Sequence, residues 1–368
     1  MADQADVVEA LGVAVAARVP VVLWGAPGTG KTSVVRALAD SAGLPCETVI
    51  ASIREPSDFA GLPVVHRDGG AATVELAPPR WAQRLVAHGS GLLFFDEIST
   101  APPAVQAALL RVVLERTVGD LALPDEVAVV AAANPPEQAA DGWDLSAPLA
   151  NRFCHLDWPV DAHTLADGLA TGWRPPHAPR LDPGWEQQVA IQRSWVAGFV
   201  TVRPMLALDV PDDAAAGGRA WPSPRTWDMV ARLLAAADAA GAGELARSLL
   251  VRGAVGPGPG LELMTWLAEA DLPDPEALLA DPDSFELPER GDRAYAALTS
   301  VTAVVIADLT VDRWNRGWAV LDRARLDAPD VAATAARALA RNRPAGAPVP
   351  DAAKAFAPLL RDAGLLPS

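Results

Sequence analysis

Lysine is almost missing from this sequence. Of 368 residues only Lys31 and Lys354 carry an ammonium group, and every other side-chain cation except histidine is an arginine. A lysine at position 31 is therefore a residue that its surroundings call for, not one of many surface charges. Positive charge is short overall: 30 Lys and Arg stand against 46 Asp and Glu, a formal charge of −16. Phosphate binding over a broad face needs clustered cations, so this balance opposes nucleic acid and anionic membrane surfaces as partners and favours a protein, a peptide or a small ligand. Cysteine is equally scarce. Cys46 and Cys154 lie far apart with no CxxC spacing, which leaves neither a zinc site nor a disulfide framework and suggests small buried hydrophobes. The five histidines, His66, His88, His155, His163 and His177, have no HExxH or similar spacing, so they are read as solvent-facing or satisfied core residues and not as metal ligands.

Long apolar runs are missing too. The stretch from Tyr295 to Ala307 falls well short of the ~20 residues that a membrane-spanning helix needs. At the amino terminus, Asp3, Asp6 and Glu9 stand where a secretory signal would carry positive charge. A cytoplasmic protein with no membrane insertion is expected.

What is present suits large buried cores: 51% of the residues are hydrophobic. Up to about residue 160, strand-like and helix-like segments alternate, the pattern of a parallel sheet covered by helices. "VPVVLW" (19–24) is a β-branched run ended by Gly25 and Pro27, and "CETVIAS" (46–52), "GLLFFDE" (91–97), "VAVVAAA" (127–133) and "CHLDW" (154–158) are four further strand candidates. In "AVQAALLRVVLER", Val105, Ala108, Leu109, Val112 and Val113 recur at helical spacing and make one apolar face. "LPVV" (62–65) and "ATVEL" (72–76) around "HRDGG" predict a β-hairpin inserted among the helices. Beyond residue 160 the strand signals fade into Ala-, Leu- and Arg-rich helical stretches, punctuated by Pro- and Gly-rich loops at 174–184, 212–224 and 253–260. No internal repeat is present.

The lysine finds its reason in "WGAPGTGKTS". Gly25, Gly30, Lys31 and Thr32 satisfy GxxxxGK[ST], and the match follows a strand and opens a helix, the context the motif requires. Gly25, Ala26, Pro27, Gly28, Thr29 and Gly30 then form a loop whose N–H groups curl around phosphates. Lys31 reaches the β and γ phosphates of ATP, Thr32 offers an oxygen to Mg2+, and Ser33 continues the helix start. In "GLLFFDEIST" four apolar side chains precede Asp96 and Glu97, which emerge at the carboxyl end of a buried strand, the edge where open α/β sheets bind ligands. Asp96 is expected to hold Mg2+ and Glu97 to polarise the attacking water. The competing account is an acidic helix start favoured by the helix dipole.

With these motifs in place the chain resembles an AAA+ ATPase, and within that superfamily the MoxR group. The resemblance extends to "PSDFAG" (56–61), "DEISTAPPAVQAALL", "LERTVGD" and "LSAPLANRF". It implies a central phosphate-loop strand and assembly into a homo-oligomeric ring, expected to be a hexamer. It makes Asn134, at the end of "VVAAAN", the sensor that orients water; an amide at a strand end can donate to phosphate and accept from water. Arg152 in "LANRF" resembles the finger that reaches a neighbouring subunit's nucleotide, although a cation at a helix carboxyl end is favoured by the dipole alone. Arg225 in "WPSPRTW" resembles the second sensor, with Ser223 as N-cap and Pro224 at N1. An arginine in a first helical turn opposes the dipole, so a phosphate partner would explain its place.

The expected architecture is an α/β nucleotide-binding core over 1–160, a helical lid over 161–260 that brings Arg225 over the phosphates, and a helical extension over 261–368. The expected function is ATP hydrolysis that drives chaperone-like remodelling or maturation of a protein client, which the resemblance suggests bears a von Willebrand factor A-like domain. A nucleotide-gated scaffold with little turnover, a nucleic-acid motor and a small-molecule kinase are the rivals. The twelve tryptophans are expected in cores and domain contacts.

Overall fold

The computed structural model describes residues 3–68, 71–135, 138 and 142–358. Contacts group them into two compact units: residues 1–182 with 208–261, and residues 183–207 with 262–368.

The first unit opens with α1 (Gln4–Ala16), capped by Asp3, whose carboxylate accepts from the Asp6 N–H. β1 (Val21–Trp24) follows and is buried along its whole length. The phosphate loop leads into α2 (Lys31–Ala42) and β2 (Cys46–Ile50). The short α3 (Ser57–Ala60) precedes the antiparallel pair β3 (Leu62–Asp68) and β4 (Ala71–Ala77). These strands are the expected hairpin; its tip residues 69 and 70 lie outside the described residues. Next come α4 (Arg80–His88), β5 (Gly91–Asp96) and α5 (Pro103–Glu115).

Val105, Leu109, Val112 and Val113 of α5 are buried as the periodicity predicts, with Ala108 partly buried beside them. Gln106 is buried on the same helix, a polar position that the pattern does not reveal. A second, two-residue pair, β6 (Thr117–Val118) and β7 (Leu121–Ala122), is not predicted by the sequence reading. It lies in "LERTVGD" and serves the first hairpin. Asp120 Oδ2 accepts from the Leu76 N–H at 2.7 Å, the Asp120 N–H donates to the Leu76 carbonyl at 3.1 Å, and the Gly119 N–H donates to the Phe59 carbonyl at 3.1 Å.

β8 (Val127–Ala133) is buried at every position, and after α6 (Ala147–Ala150) the last strand is β9 (Cys154–Asp157). The five-stranded sheet runs β2-β5-β8-β1-β9 with all pairs parallel. Its centre explains the composition of the strands. Leu92, Leu93, Phe94 and Phe95 of β5 are each 0% exposed, and each such side chain contributes about 1.5–3 kcal/mol on burial. The β1 phosphate-loop strand lies between β8 and β9. The carboxyl ends of β5, β8 and β1, three adjacent strands, therefore open on the same edge.

The unit continues through α7 (Ala162–Thr171). Next in the chain, α8 (Glu186–Val202) belongs to the second unit, while α9 (Ala214–Gly217), α10 (Pro224–Ala239) and α11 (Glu244–Val255) belong to the first. α10 starts where the sequence predicts: the Ser223 side chain accepts from the Thr226 N–H, the Thr226 side chain returns the bond to Ser223, and Pro224 is at N1. α11 packs on β9. A methyl group on Gly253 would meet the His155 carbonyl oxygen at 2.4 Å, so glycine sets this close approach.

The 161–260 segment is thus not one contact unit. Ile191 of α8 joins the core of the second unit, and Phe199 meets Trp266 edge-on at a ring separation of 6.1 Å. Apolar burial, which sequence order does not dictate, decides this placement. α12 (Pro257–Ala270) supplies residues to both units. α13 (Pro275–Ala280), α14 (Gly291–Ala307), α15 (Val311–Ala324), α16 (Pro329–Arg341) and α17 (Asp351–Ala355) complete the second. Trp314 and Trp318, 1% exposed and 5.9 Å apart edge-on, form its centre with Phe285 and Phe356. The apolar run ending at Ala307 is α14. Among the described residues no helix is long and apolar enough to cross a membrane.

Candidate functional site

A cleft of about 310 Å³ opens at the carboxyl edge of the sheet, lined by Pro27, Gly28, Thr29, Gly30, Lys31, Thr32, Ser33, Asp96, Glu97, Ala132 and Asn134. Gly28 and Gly30 hold φ values of +78° and +92°, and a Cβ at either would meet nothing within 4 Å. The left-handed backbone suits glycine, and the space beyond these two positions is open to a ligand. α2 begins at this loop with no side-chain cap. Its first-turn N–H groups therefore keep their donor capacity and the positive end of the helix dipole faces the cleft.

The rest of the loop is braced from below. Thr29 Oγ1 donates to the Ala26 carbonyl at 2.8 Å, and Trp158 Nε1 donates to the Thr29 carbonyl at 3.0 Å. Gly25 donates its N–H to the Ala133 carbonyl at 3.1 Å and lies against Trp158. Gly25 and Ala26 do not line the cleft; their carbonyls serve Lys31.

Lys31 is 7% exposed. Its Nζ donates to the Gly25 carbonyl at 2.6 Å, the Ala26 carbonyl at 2.9 Å and Asn134 Oδ1 at 3.0 Å. Three donors meet three acceptors. Burial pulls its pKa below the usual lysine value, and the Asp96 carboxylate pushes in the opposite direction. Thr32 Oγ1 donates to Asp96 Oδ2 at 2.8 Å, so the two oxygens that the sequence leads one to expect on Mg2+ stand side by side. Hard oxygen donors of this kind fit Mg2+, which takes one or two protein groups and completes its shell with phosphate and water. Among the described residues no group of three or more His, Cys, Asp or Glu could hold a metal by itself.

Asp96 and Glu97 diverge. Glu97 sits at φ +58°, a left-handed conformation that costs a non-glycine residue of order 1 kcal/mol or more. The turn leaves Asp96 on Thr32 and carries Glu97 to Ser52, whose Oγ donates to Glu97 Oε2 at 2.6 Å. Sequence reading misses Ser52, because a serine after a strand carries no distinguishing pattern. It also misses Ser99, a buried hydroxyl in "DEIST" that touches Asn134.

The two arginines are elsewhere. Neither Arg152 nor Arg225 lines the cleft. Arg225 Nη1 donates to Asn151 Oδ1 at 3.2 Å, and the same oxygen accepts from Ser223 Oγ at 2.8 Å. Asn151 is 2% exposed and donates through Nδ2 to the Trp221 carbonyl. It directly precedes Arg152, so one buried amide ties the start of α10 to the end of α6. Arg152 Nη1 donates to the Pro148 carbonyl in the last turn of α6, the helix-end contact that a dipole role requires, while its Nε is buried without a partner. Burial lowers the Arg152 pKa, and the neighbouring charge of Arg225 lowers it further. Two guanidinium groups are gathered at one place, outside the residues that line this cleft.

Among the cysteines, Cys154 is buried and its thiol is pushed up to about 12 by burial, while Cys46 is half-buried and raised for the same reason. Neither is poised as a nucleophile.

A parallel sheet in the order β2-β5-β8-β1-β9, with a GxxxxGK[ST] loop at its open edge and carboxylates on the neighbouring strand, defines an AAA+ ATPase module. The particular group follows from comparison with known proteins. Residues 1–183 match a family model described as the MoxR domain in the MoxR-vWA-beta-propeller ternary systems. Protein MoxR of Methylorubrum extorquens is 37% identical over 110 residues, 29% of this chain and 30% of that relative. The aligned region spans about a third of the curated relative. Over residues 1–183 the chain is MoxR-like, a domain of the AAA+ ATPase fold. Two solved structures show lower similarity: a candidate ATPase from Cytophaga hutchinsonii (19% identity, 62% of this chain and 72% of that one, TM-score 0.39) and a full-length MCM homologue from Methanopyrus kandleri (19%, 70% and 53%, TM-score 0.37).

Proposed function

We propose that the chain hydrolyses ATP in the presence of Mg2+ and, assembled as a ring of copies, uses the turnover to remodel or mature a partner protein. One observation carries the chemistry: the glycine loop, Lys31, the Thr32–Asp96 pair, Glu97 and Asn134 line one cleft although the first lining residue, Pro27, and the last, Asn134, are 107 positions apart in sequence. The loop N–H groups and the open first turn of α2 hold the phosphates. Lys31 exchanges part of its present set of acceptors for phosphate oxygen. Thr32 and Asp96 hold the cation, which when bound spreads the negative charge of the phosphate oxygens. Glu97 accepts a hydrogen bond from the attacking water, and Asn134 fixes both that water and the Lys31 ammonium.

Arg225, bonded to Asn151, and Arg152, next to Asn151 in the chain and near enough to Arg225 to feel its charge, are proposed to act together on the nucleotide of a neighbouring copy. The family's description names vWA and β-propeller components, which supports a partner bearing a vWA domain, accompanied by a β-propeller protein. The acidic balance argues against a nucleic-acid motor.

Phosphate release and nucleotide binding test the reading together. Lys31→Ala is expected to weaken ATP binding at least tenfold, whereas Glu97→Gln should bind ATP normally and hydrolyse it at least 100-fold more slowly, within the range lost when a positioned base is removed. Normal turnover by Glu97→Gln would remove Glu97 from the role of base. Phosphate transferred to an acceptor molecule in place of water would replace the ATPase with a kinase.

A further inference from the structure

Ser99 is 0% exposed, a hydroxyl-bearing residue buried in the short turn (Ile98–Thr100) that follows β5. A buried hydroxyl is retained where its hydrogen bonds require it. Here Oγ makes two, both to one residue: it accepts from the backbone N–H of Asn134 at 3.0 Å and donates to the backbone carbonyl of Asn134 at 3.0 Å. β8 ends at Ala133. Asn134 therefore lies just beyond the ladder, followed by a proline that has no N–H to offer. Ser99 supplies both partners that the sheet no longer does, and closes a two-point clamp on the backbone of the residue whose side chain meets Lys31 Nζ.

Ser99 is itself held. It belongs to the turn that starts at Glu97, and its carbonyl accepts from the Trp143 N–H at 2.7 Å. We propose that Ser99 is a positioning residue: its hydroxyl sets where the Asn134 amide stands relative to Lys31 and the cleft, and thereby couples the Glu97 turn to the sensor. The inference rests on the reading of Asn134 as a nucleotide-facing group, and it concerns a residue that does not itself line the cleft.

Two measurements on Ser99→Ala decide it, one of them independent of catalysis. In the nucleotide-free protein, residue-resolved hydrogen exchange should show the Asn134 N–H exchanging at least tenfold faster, with Val130 and Ala131 inside β8 unchanged. A residue that served stability alone would raise exchange along the whole strand. In steady-state ATPase assays kcat should fall about tenfold, with KM within about threefold of wild type. The same substitution in an Asn134→Ala background should cost little more. Ser99→Thr, which keeps the hydroxyl, should restore both the slow exchange and kcat, and it serves as the second probe if the alanine variant folds poorly.

Unchanged exchange at Asn134 overturns the proposal, as does faster exchange with normal kcat, or equal loss in the threonine and alanine variants. If the wild-type protein itself fails to hydrolyse ATP, the ATPase reading falls, while the exchange measurement still judges the clamp.

Discussion

His155 shows what a single buried group can do to the pH response. Its Nδ1 accepts from Trp24 Nε1 at 2.9 Å and its Nε2 pairs with the Ala150 carbonyl at 2.9 Å, which fixes the neutral ring with its proton on Nε2. Arg219 lies over the Trp24 ring at 4.0 Å, adding a cation on the far side. Burial, with a smaller push from Arg219 and against the Ala150 hydrogen bond, lowers the pKa to about 4. In the unfolded chain the imidazole takes up its proton near pH 6.5, so the unfolded state binds the extra proton first as pH falls. The stability gained by keeping His155 neutral is complete above about pH 6.5 and is lost on the way down to about pH 4; a shift of this size is worth about 3 kcal/mol. Urea denaturation at pH 7 and pH 4.5 is expected to show a drop that His155→Gln largely abolishes. An equal drop in both proteins would exclude His155 as its source.

At the scale of elements, the β3–β4 hairpin has little core of its own. Leu62, Val64, Val65 and Val74 are exposed, and Asp120 from the β6–β7 turn makes the two hydrogen bonds to Leu76 that tie its base down. Asp120→Ala is expected to cost about 1 kcal/mol, the net worth of one such bond. It should speed hydrogen exchange in 62–68 and 71–77 while nucleotide binding stays within twofold. Loss of ATP binding in a folded Asp120→Ala protein would show that the hairpin is coupled to the cleft. The hairpin was legible in the sequence because its alternation and Gly-rich turn are local signals. Its clasp was not, since Asp120 and Leu76 are 44 residues apart. Likewise the α10 cap was readable from "SPRT" alone, but the partner of Arg225 on α6 depended on how α6 and α10 pack.

For the whole molecule, Arg152 and Arg225 provide the test of assembly. Arg152→Ala should bind ATP normally yet turn it over at least 100-fold more slowly if it completes a neighbour's site, since such arginines are worth ~10³ to 10⁵ in rate. Loss of a helix-end contact alone would cost only ~0.3 to 1 kcal/mol of stability. Mixing Arg152→Ala with Glu97→Gln, each nearly inactive, should restore part of the activity, because some interfaces then combine an intact Glu97 with an intact Arg152. Proven mixed assemblies without recovered activity would return Arg152 to a structural role. The Arg225→Ala protein should behave in such mixtures as Arg152→Ala does; failure to do so would separate the two arginines.

The sequence by itself determined the phosphate loop, the acidic strand end, the five sheet strands, the hairpin and the cap of α10, because each is written in neighbouring residues through periodicity, turn chemistry or a fixed spacing. Only the tertiary structure decided the strand order, and with it the meeting of Lys31, Asp96 and Asn134 at one edge: adjacency in a parallel sheet is set by which faces bury together, and sequence distance does not encode it. The same reason removed α8 from the segment around it and gave it to the second unit, where Ile191 and Phe199 find apolar partners. It also decided that Ser52, Ser99 and Asn151, three small polar residues with no pattern of their own, hold Glu97, Asn134 and Arg225. A hydrogen bond between residues far apart in sequence has no local signature, and its two ends are known only once the chain has folded.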